Sequence, residues 1–259
     1  MKAGLNLFSI RNLLSDEENF LSTVLKLREM GYSYLQFSGM AFDAPLVKRV
    51  SETSGVPFIL THVPMDRILN DTDALIEEHL SFGCKNIGLG AMPVDAITDK
   101  SRCYEIVAAL DEAGRRIEER GCKFFYHHHH FEFYRHGDET VFDYILKNAP
   151  HINFTLDTYW LQYGGVDVCE TIDRAAGRIG CIHLKDYKIV PKKVKEGEKP
   201  AFEPRYAPVG DGNIDMKAVV RHAKAAGTEY FIVEQDNAAK LPDTLGQVEQ
   251  SIRYITENL

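Results

Sequence analysis

The sequence predicts a single closed (β/α)8 barrel covering residues 1–259, and three observations carry that prediction. Strand-like and helix-like stretches alternate eight times with no composition break to mark a linker, which calls for a parallel sheet with helical crossovers. A length of 259 residues suits eight such units in one barrel. Four apolar runs also end in metal-capable or acid–base side chains: KFFYHHHHFEF (Lys123 to Phe133), INFTLDTYW (Ile152 to Trp160), IGCIHLKD (Ile179 to Asp186) and EYFIVEQD (Glu229 to Asp236). A barrel delivers the C-terminal ends of its strands to one mouth, where such residues meet.

The elements follow in order. Ala3 to Phe8 reads as the first strand, and Asp16 caps an amphipathic helix that runs to Met30 and stops at Gly31. Tyr34 to Phe37 is a short second strand, followed by a helix near Ala44 to Ser54 and a Gly-Val-Pro connection. Pro57 to His62 is the third strand; a helix near Thr72 to Phe82 leads through Gly83 to the fourth, Asn86 to Leu89. A long charged helix from about Lys100 to Arg120 ends at Gly121, ahead of the His-rich fifth strand and a helix near Thr140 to Asn148. The sixth strand ends at Asp157 and the seventh at His183, with a helix near Val168 to Ala176 between them. A long loop, Asp186 to Gly212, precedes a helix from Asp215 to Ala226, the eighth strand Tyr230 to Glu234, and a last helix from about Pro242. A loop of that length is either a solvated insertion or a lid over the site. The rival architecture, a six-stranded doubly wound sheet, loses because the first strand–helix turn, SIRNLLSD, lacks the G-x-G-x-x-G fingerprint.

The net charge of −8 argues against nucleic acid as the main partner and favours a small neutral or metal-chelated substrate. Five cysteines without C-x-x-C spacing point to free thiols in a reducing compartment. The N-terminus lacks the features of a signal peptide and no apolar run approaches a membrane span. A cytoplasmic protein with no membrane partner is expected. Pairing into a homo-oligomer through the outer helices is compatible with an acidic barrel, although no residue marks the interface.

Asp157, His183 and Glu234 hold equivalent places at three strand ends. Two carboxylates and an imidazole converging on one point are the ligand set of a hard or borderline divalent cation. A carboxylate at the end of a buried strand is costly unless it is paired or metal-bound. For the fourth ligand, Glu132 and His129 are both candidates. Strand alternation sends His127 and His129 to one face, and Tyr126, His128 and His130 to the other, so His127 is assigned to substrate or to supporting hydrogen bonds. Lys185 shares the face of His183 and suits a carbonyl oxygen or an anionic group. His62, ending the third strand, is read as a contact to a substrate hydroxyl, or as structural. Trp160 with Tyr159, and Phe8, are candidate apolar walls for a sugar ring.

Taken together, YHHHHFEF, LDTYW with Gly164–Gly165, HLKD, VGDGNID and VEQD resemble the sugar phosphate isomerase/epimerase family. This is the xylose isomerase-like TIM barrel group, which also holds inosose dehydratases, ketose 3-epimerases and, more distantly, endonuclease IV enzymes. The resemblance runs over essentially the whole chain. It implies one divalent cation, Mn²⁺ or Mg²⁺ foremost with Co²⁺ or Zn²⁺ as alternatives, held by Glu, Asp, His and Glu at four strand ends. Asp157, His183 and Glu234 match three of those positions. The first Glu of the epimerases ends its strand about where Tyr126 or His127 stands here, whereas this chain carries an H-x-H-x-x-E-F pattern in His127, His129, Glu132 and Phe133. The resemblance implies proton transfer next to the carbonyl of a ketose, keto-sugar or inosose. Glu234 would move the proton, and Glu132 or a His of the 127–130 run would act opposite. Dehydration on the same site is the alternative; an endonuclease-IV-like phosphodiesterase and a non-catalytic carbohydrate-binding barrel are further ones.

Overall fold

Eight short, mostly buried runs become strands: β1 (Gly4–Asn6), β2 (Tyr34–Phe37), β3 (Phe58–Thr61), β4 (Asn86–Leu89), β5 (Lys123–His127), β6 (Ile152–Asp157), β7 (Ile179–Leu184) and β8 (Tyr230–Val233). The computed structural model describes residues 1–195 and 197–259. All neighbours are parallel, in the order β3-β2-β1-β8-β7-β6-β5-β4. Between β3 and β4 the ring meets along a looser seam. Among the described residues this seam carries one main-chain hydrogen bond, Val63 N to Gly88 O at 2.9 Å, helped by Asn86 Nδ2 donating to Ile59 O at 2.6 Å. The architecture is the expected (β/α)8 barrel, nearly closed.

Eight helices cover the sheet: α1 (Glu17–Met30), α2 (Ala44–Ser54), α3 (Thr72–Ser81), α4 (Lys100–Glu119), α5 (Val141–Asn148), α6 (Val168–Arg174), α7 (Met216–Ala225) and α8 (Thr244–Asn258). Side chains cap the N-termini of all but α3: Asp16, Asp43, Asp99, Thr140, Asp167, Asp215 and Asp243 each accept from a backbone N–H in the first turn. Such a cap satisfies an otherwise unpaired donor, and losing one costs about 1 kcal/mol.

Two cores result. The larger lies between sheet and helices, and a smaller one of Tyr34, Leu60, Phe125, Cys181 and Ile232 fills the barrel itself. Large side chains fit inside because nearby strands carry glycine. A Cβ at Gly180 would stand 2.6 Å from the Phe125 ring, and one at Gly4 would stand 2.3 Å from Tyr34.

Three expectations need correction. The first strand ends at Asn6, because the Asn6 side chain accepts Phe8 N–H and turns the chain into a 3-10 segment, Leu7–Leu13. Residues 186–212 are largely an antiparallel hairpin, with Asp186–Pro191 paired to Phe202–Ala207. Their period-2 pattern is obscured by proline and by mixed polarity. Asp186 ties down the hairpin's base by accepting N–H groups of Tyr187, Gly210 and Ile214. Finally, short helices that carry no long amphipathic signal occupy the mouth: Met65–Asn70, Val94–Ile97 and Thr158–Tyr163. Among the described residues no helix is long and apolar enough to cross a membrane.

Two stability predictions follow from this packing. Replacing Gly180 with Ala is expected to lower the free energy of unfolding by about 1–3 kcal/mol, the usual cost of overpacking, and Phe125→Leu in the same chain should restore part of it; denaturant titration checks both. His79 is buried between α3 and β3, where Thr61 Oγ1 lies 2.7 Å from Nε2 and Leu75 O 2.7 Å from Nδ1. Burial pushes its imidazolium down from 6.5 to about 4. The unfolded chain therefore binds an extra proton between those values, so the stability is fully present above pH 6.5 and is lost as pH falls toward 4, by about 3 kcal/mol. His79→Gln should flatten that part of the stability–pH curve.

Candidate metal centre and active site

The C-terminal ends of β5 to β8 place His127, Asp157, His183 and Glu234 around one point. Asp157 and His183 are direct partners across the β6–β7 ladder. Each of the four residues offers one donor atom, and these atoms all lie within 4.8 Å of one another. His183 Nδ1 is 2.7 Å from Glu234 Oε2 and 3.7 Å from Asp157 Oδ2, and His127 Nε2 is 3.5 Å from Asp157 Oδ2.

The second atom of each residue is held by the protein. His127 Nδ1 donates to Gly90 O at 3.1 Å. Asp157 Oδ1 accepts from Trp160 N at 2.9 Å, capping the Thr158–Tyr163 helix. Glu234 Oε1 accepts from Asn6 Nδ2 at 3.1 Å. His183 Nε2 donates to Gln36 Oε1 at 2.6 Å, Gln36 Nε2 donates to His62 Nε2 at 2.8 Å, and His62 Nδ1 reaches Ser38 Oγ at 3.3 Å. That chain fixes the His183 tautomer and leaves the Nδ1 lone pair toward the cluster. The atoms left over, His127 Nε2, Asp157 Oδ2, His183 Nδ1 and Glu234 Oε2, are buried and have no aligned hydrogen-bond partner. Buried polar atoms are normally satisfied, so four adjacent exceptions fit a cation. Two imidazoles and two carboxylates suit Mn²⁺, Zn²⁺ and related ions, and Mg²⁺ less naturally.

Charge supports the same fit. Lys185, buried beneath the cavity, has its ammonium 2.9 Å from Asp157 Oδ2, 3.1 Å from Glu234 Oε2 and 3.0 Å from Asp236 Oδ1. Burial would push the ammonium pKa down, but the three carboxylates outweigh it and raise the value. Burial would likewise raise Asp157 and Glu234, yet Lys185 and the neighbouring imidazoles hold both well below the usual carboxylate range. Three carboxylates around one ammonium leave a net negative charge in a low-dielectric pocket, which a divalent cation offsets.

The site residues named from sequence distribute as follows. Asp157, His183 and Glu234 converge; Glu132 does not join them. Its carboxylate is buried, with Oε1 accepting from the Tyr126 hydroxyl at 2.5 Å and Oε2 from His129 N at 2.7 Å, and burial raises its pKa to about 7. It braces the turn after β5, and His127, expected to contact substrate, supplies the fourth donor. His127 ends β5 where the resemblance places the first Glu of the epimerases. His129 Nδ1 lacks a partner, and the residue lines the cavity along with Phe8, His62 and Lys185. Trp160 stands behind that lining, its ring 5.2 Å from both Lys185 Nζ and the His129 ring. His128 points away and accepts Asp157 N–H at 3.0 Å. The cavity occupies about 520 Å³ at the mouth.

Sequence reasoning missed Asn6, Gln36 and the Gly90 carbonyl. Asn6 and Gln36 are polar residues at the C-terminal ends of otherwise apolar strands, in AGLNLF and YLQF, and a buried amide in such a run needs a partner. That signal was available. The Gly90 carbonyl carries no sequence signal.

Comparison with known proteins agrees with the fold. An inosose dehydratase from Geobacillus thermodenitrificans is 28% identical over 159 residues, which are 59% of this chain and 53% of that protein. The chain thus spans about half the length of the curated relatives it matches. A sugar phosphate isomerase/epimerase from Parabacteroides distasonis superposes with a TM-score of 0.81 at 20% identity, covering 99% of this chain and 94% of that one. A xylose isomerase-like TIM barrel protein from Mycobacterium smegmatis, solved in complex with magnesium, superposes with a TM-score of 0.71 at 15% identity, covering 99% and 95%. The signature of the xylose isomerase-like TIM barrel family matches residues 26–258, and the chain belongs to that family.

Proposed function

We propose that the protein is a divalent-metal-dependent enzyme that moves a proton at the carbon next to a carbonyl of a keto-sugar or inosose. The observation that carries this reading is the set of four buried, converging donor atoms without an aligned hydrogen-bond partner, while the second atom of each residue is fixed. A cation held by His127, Asp157, His183 and Glu234 supplies Lewis-acid polarisation of a substrate oxygen. Glu234, pinned through Oε1 by Asn6, is the carboxylate that would take and return the proton besides lending the cation an oxygen. His129, with Nδ1 free, faces the opposite side of the substrate, in the role the sequence left open between it and Glu132. Lys185 is oriented by Asp157, Glu234 and Asp236 and donates to a substrate oxygen. His62, fixed between Gln36 and Ser38, contacts a hydroxyl.

Returning the proton to the other face gives epimerisation, and returning it to the neighbouring carbon gives isomerisation. Expulsion of a β-hydroxyl gives dehydration. The inosose dehydratases among the relatives favour this last outcome as the second reading. A phosphodiesterase gains little support, since the cation in the cavity lining, Lys185, is engaged by three carboxylates. The partly apolar cavity and the family also support a small carbohydrate as partner, and the five free cysteines fit a cytoplasmic setting. The hairpin at 186–207 is retained as a candidate lid, its Tyr206 ring packed 4.8 Å from Tyr159.

Elemental analysis of protein purified without chelator is expected to find about one equivalent of Mn²⁺, Mg²⁺, Co²⁺ or Zn²⁺ per chain, lost in Asp157→Ala. Gln36→Leu, which touches no proposed ligand atom but frees the His183 tautomer, should weaken metal affinity roughly ten- to a hundredfold. Unchanged stoichiometry in Asp157→Ala would remove the basis for the site. Incubating metal-loaded protein in D₂O with a panel of keto-sugars and inososes should exchange the α-proton of at least one of them. Mass spectrometry of the products then separates isomers from dehydrated species. Glu234→Gln should abolish the exchange, and no exchange across the panel would sink the proposal.

A further inference from the structure

The cavity has two unlike halves. On one side stand His127 and Glu234 of the donor set, with Lys185, Asp236 and His129. On the other, Val63 and Leu89 are buried at the floor, while Met40, Met65 and Phe8 are half-buried as the wall climbs to the rim. Ser38, Gly39, Gly90 and Ala91 fill in between them, and His62 and Ser38 bring polar side chains to this otherwise apolar wall.

The apolar wall is built rather than incidental. Gly39, at φ +83°, lets the chain pass so close that a Cβ there would stand 3.1–3.2 Å from Phe8. Arg11 stacks on the Phe8 ring, 3.9 Å from its centroid, and its guanidinium is held by the carbonyls of Phe8 and Asp236. The ring is thereby fixed facing the cavity. The two methionines add soft, adaptable surface of the kind used for varied apolar ligands. One aromatic ring suffices for the C–H face of a sugar; Phe8, Met40 and Met65, half-buried above the buried Val63 and Leu89, leave surface that a bare polyol does not cover. A cavity of about 520 Å³ also has the size of a site for a larger small molecule.

We propose that the natural substrate is a carbohydrate bearing an apolar substituent, an aryl or alkyl aglycone, which lies along Phe8, Met40, Met65, Val63 and Leu89 while the polyol faces the donor set. This inference rests on the metal-dependent carbohydrate reading given above.

The test uses the Mn²⁺-loaded full chain and the fluorescence of Trp160, its single tryptophan, which stands beside Lys185. Phenyl β-D-glucopyranoside is expected to bind roughly tenfold more tightly than methyl β-D-glucopyranoside, the gain from burying one ring. In the double variant Met40→Gln, Met65→Gln that ratio should fall below roughly threefold, with bound metal content serving as the check on folding. Equal affinity for the two glycosides, or a ratio that survives in the variant, overturns the subsite. If neither glycoside binds while an unsubstituted keto-sugar still exchanges its α-proton, the subsite is overturned and the carbohydrate reading stands. If no carbohydrate binds at all, both fail.

Discussion

Three carboxylates crowd around one buried ammonium at the mouth of this barrel, and much of the surrounding structure answers to that imbalance. A charge taken out of water costs several kcal/mol unless it is paired and hydrogen-bonded. Lys185 pairs with Asp157, Glu234 and Asp236 at once, yet Asp157 and Glu234 still keep one oxygen each without an aligned donor. Their other oxygens are taken by Trp160 N and Asn6 Nδ2. The protein therefore leaves one atom of each of the four donor residues unsatisfied while fixing the other.

Holding those atoms depends on contacts that are local in space and distant in sequence. Asn6 at the end of β1 reaches Glu234 after β8, and Gln36 in β2 reaches His183 in β7. The first two strands thus orient ligands carried by the last strands, and a closed ring is what brings them within hydrogen-bond distance. Glycines at positions 4 and 180 admit Tyr34 and Phe125 to the barrel interior, so the strands approach closely enough for these reaches to work.

The alternation of apolar runs and helices was legible because strand and helix periodicities are strong in α/β proteins, and the charged residues after apolar runs marked three of the four converging side chains. For the fourth, the sequence offers Glu132 and His129, whereas His127 completes the converging group. Both are acid–base residues near the strand end, and only the turn geometry shows Glu132 engaged by Tyr126 and by the His129 amide, with His127 left facing inward. The 186–207 hairpin was read as a loop because prolines at 191 and 204 and mixed polarity hide its pairing. Partners such as the Gly90 carbonyl belong to the backbone, and side-chain identity carries no record of them.

The seam between β3 and β4 has a consequence for the site. Val63 and Leu89, the floor of the apolar wall, flank that seam, where a single main-chain bond and the Asn86 amide replace a full ladder. The donor set, by contrast, sits on β5 to β8, which are joined by ladders from one to the next. Among the described residues the ring is thus least cross-linked between β3 and β4, under the apolar side of the entrance, and most fully laddered under the donor set.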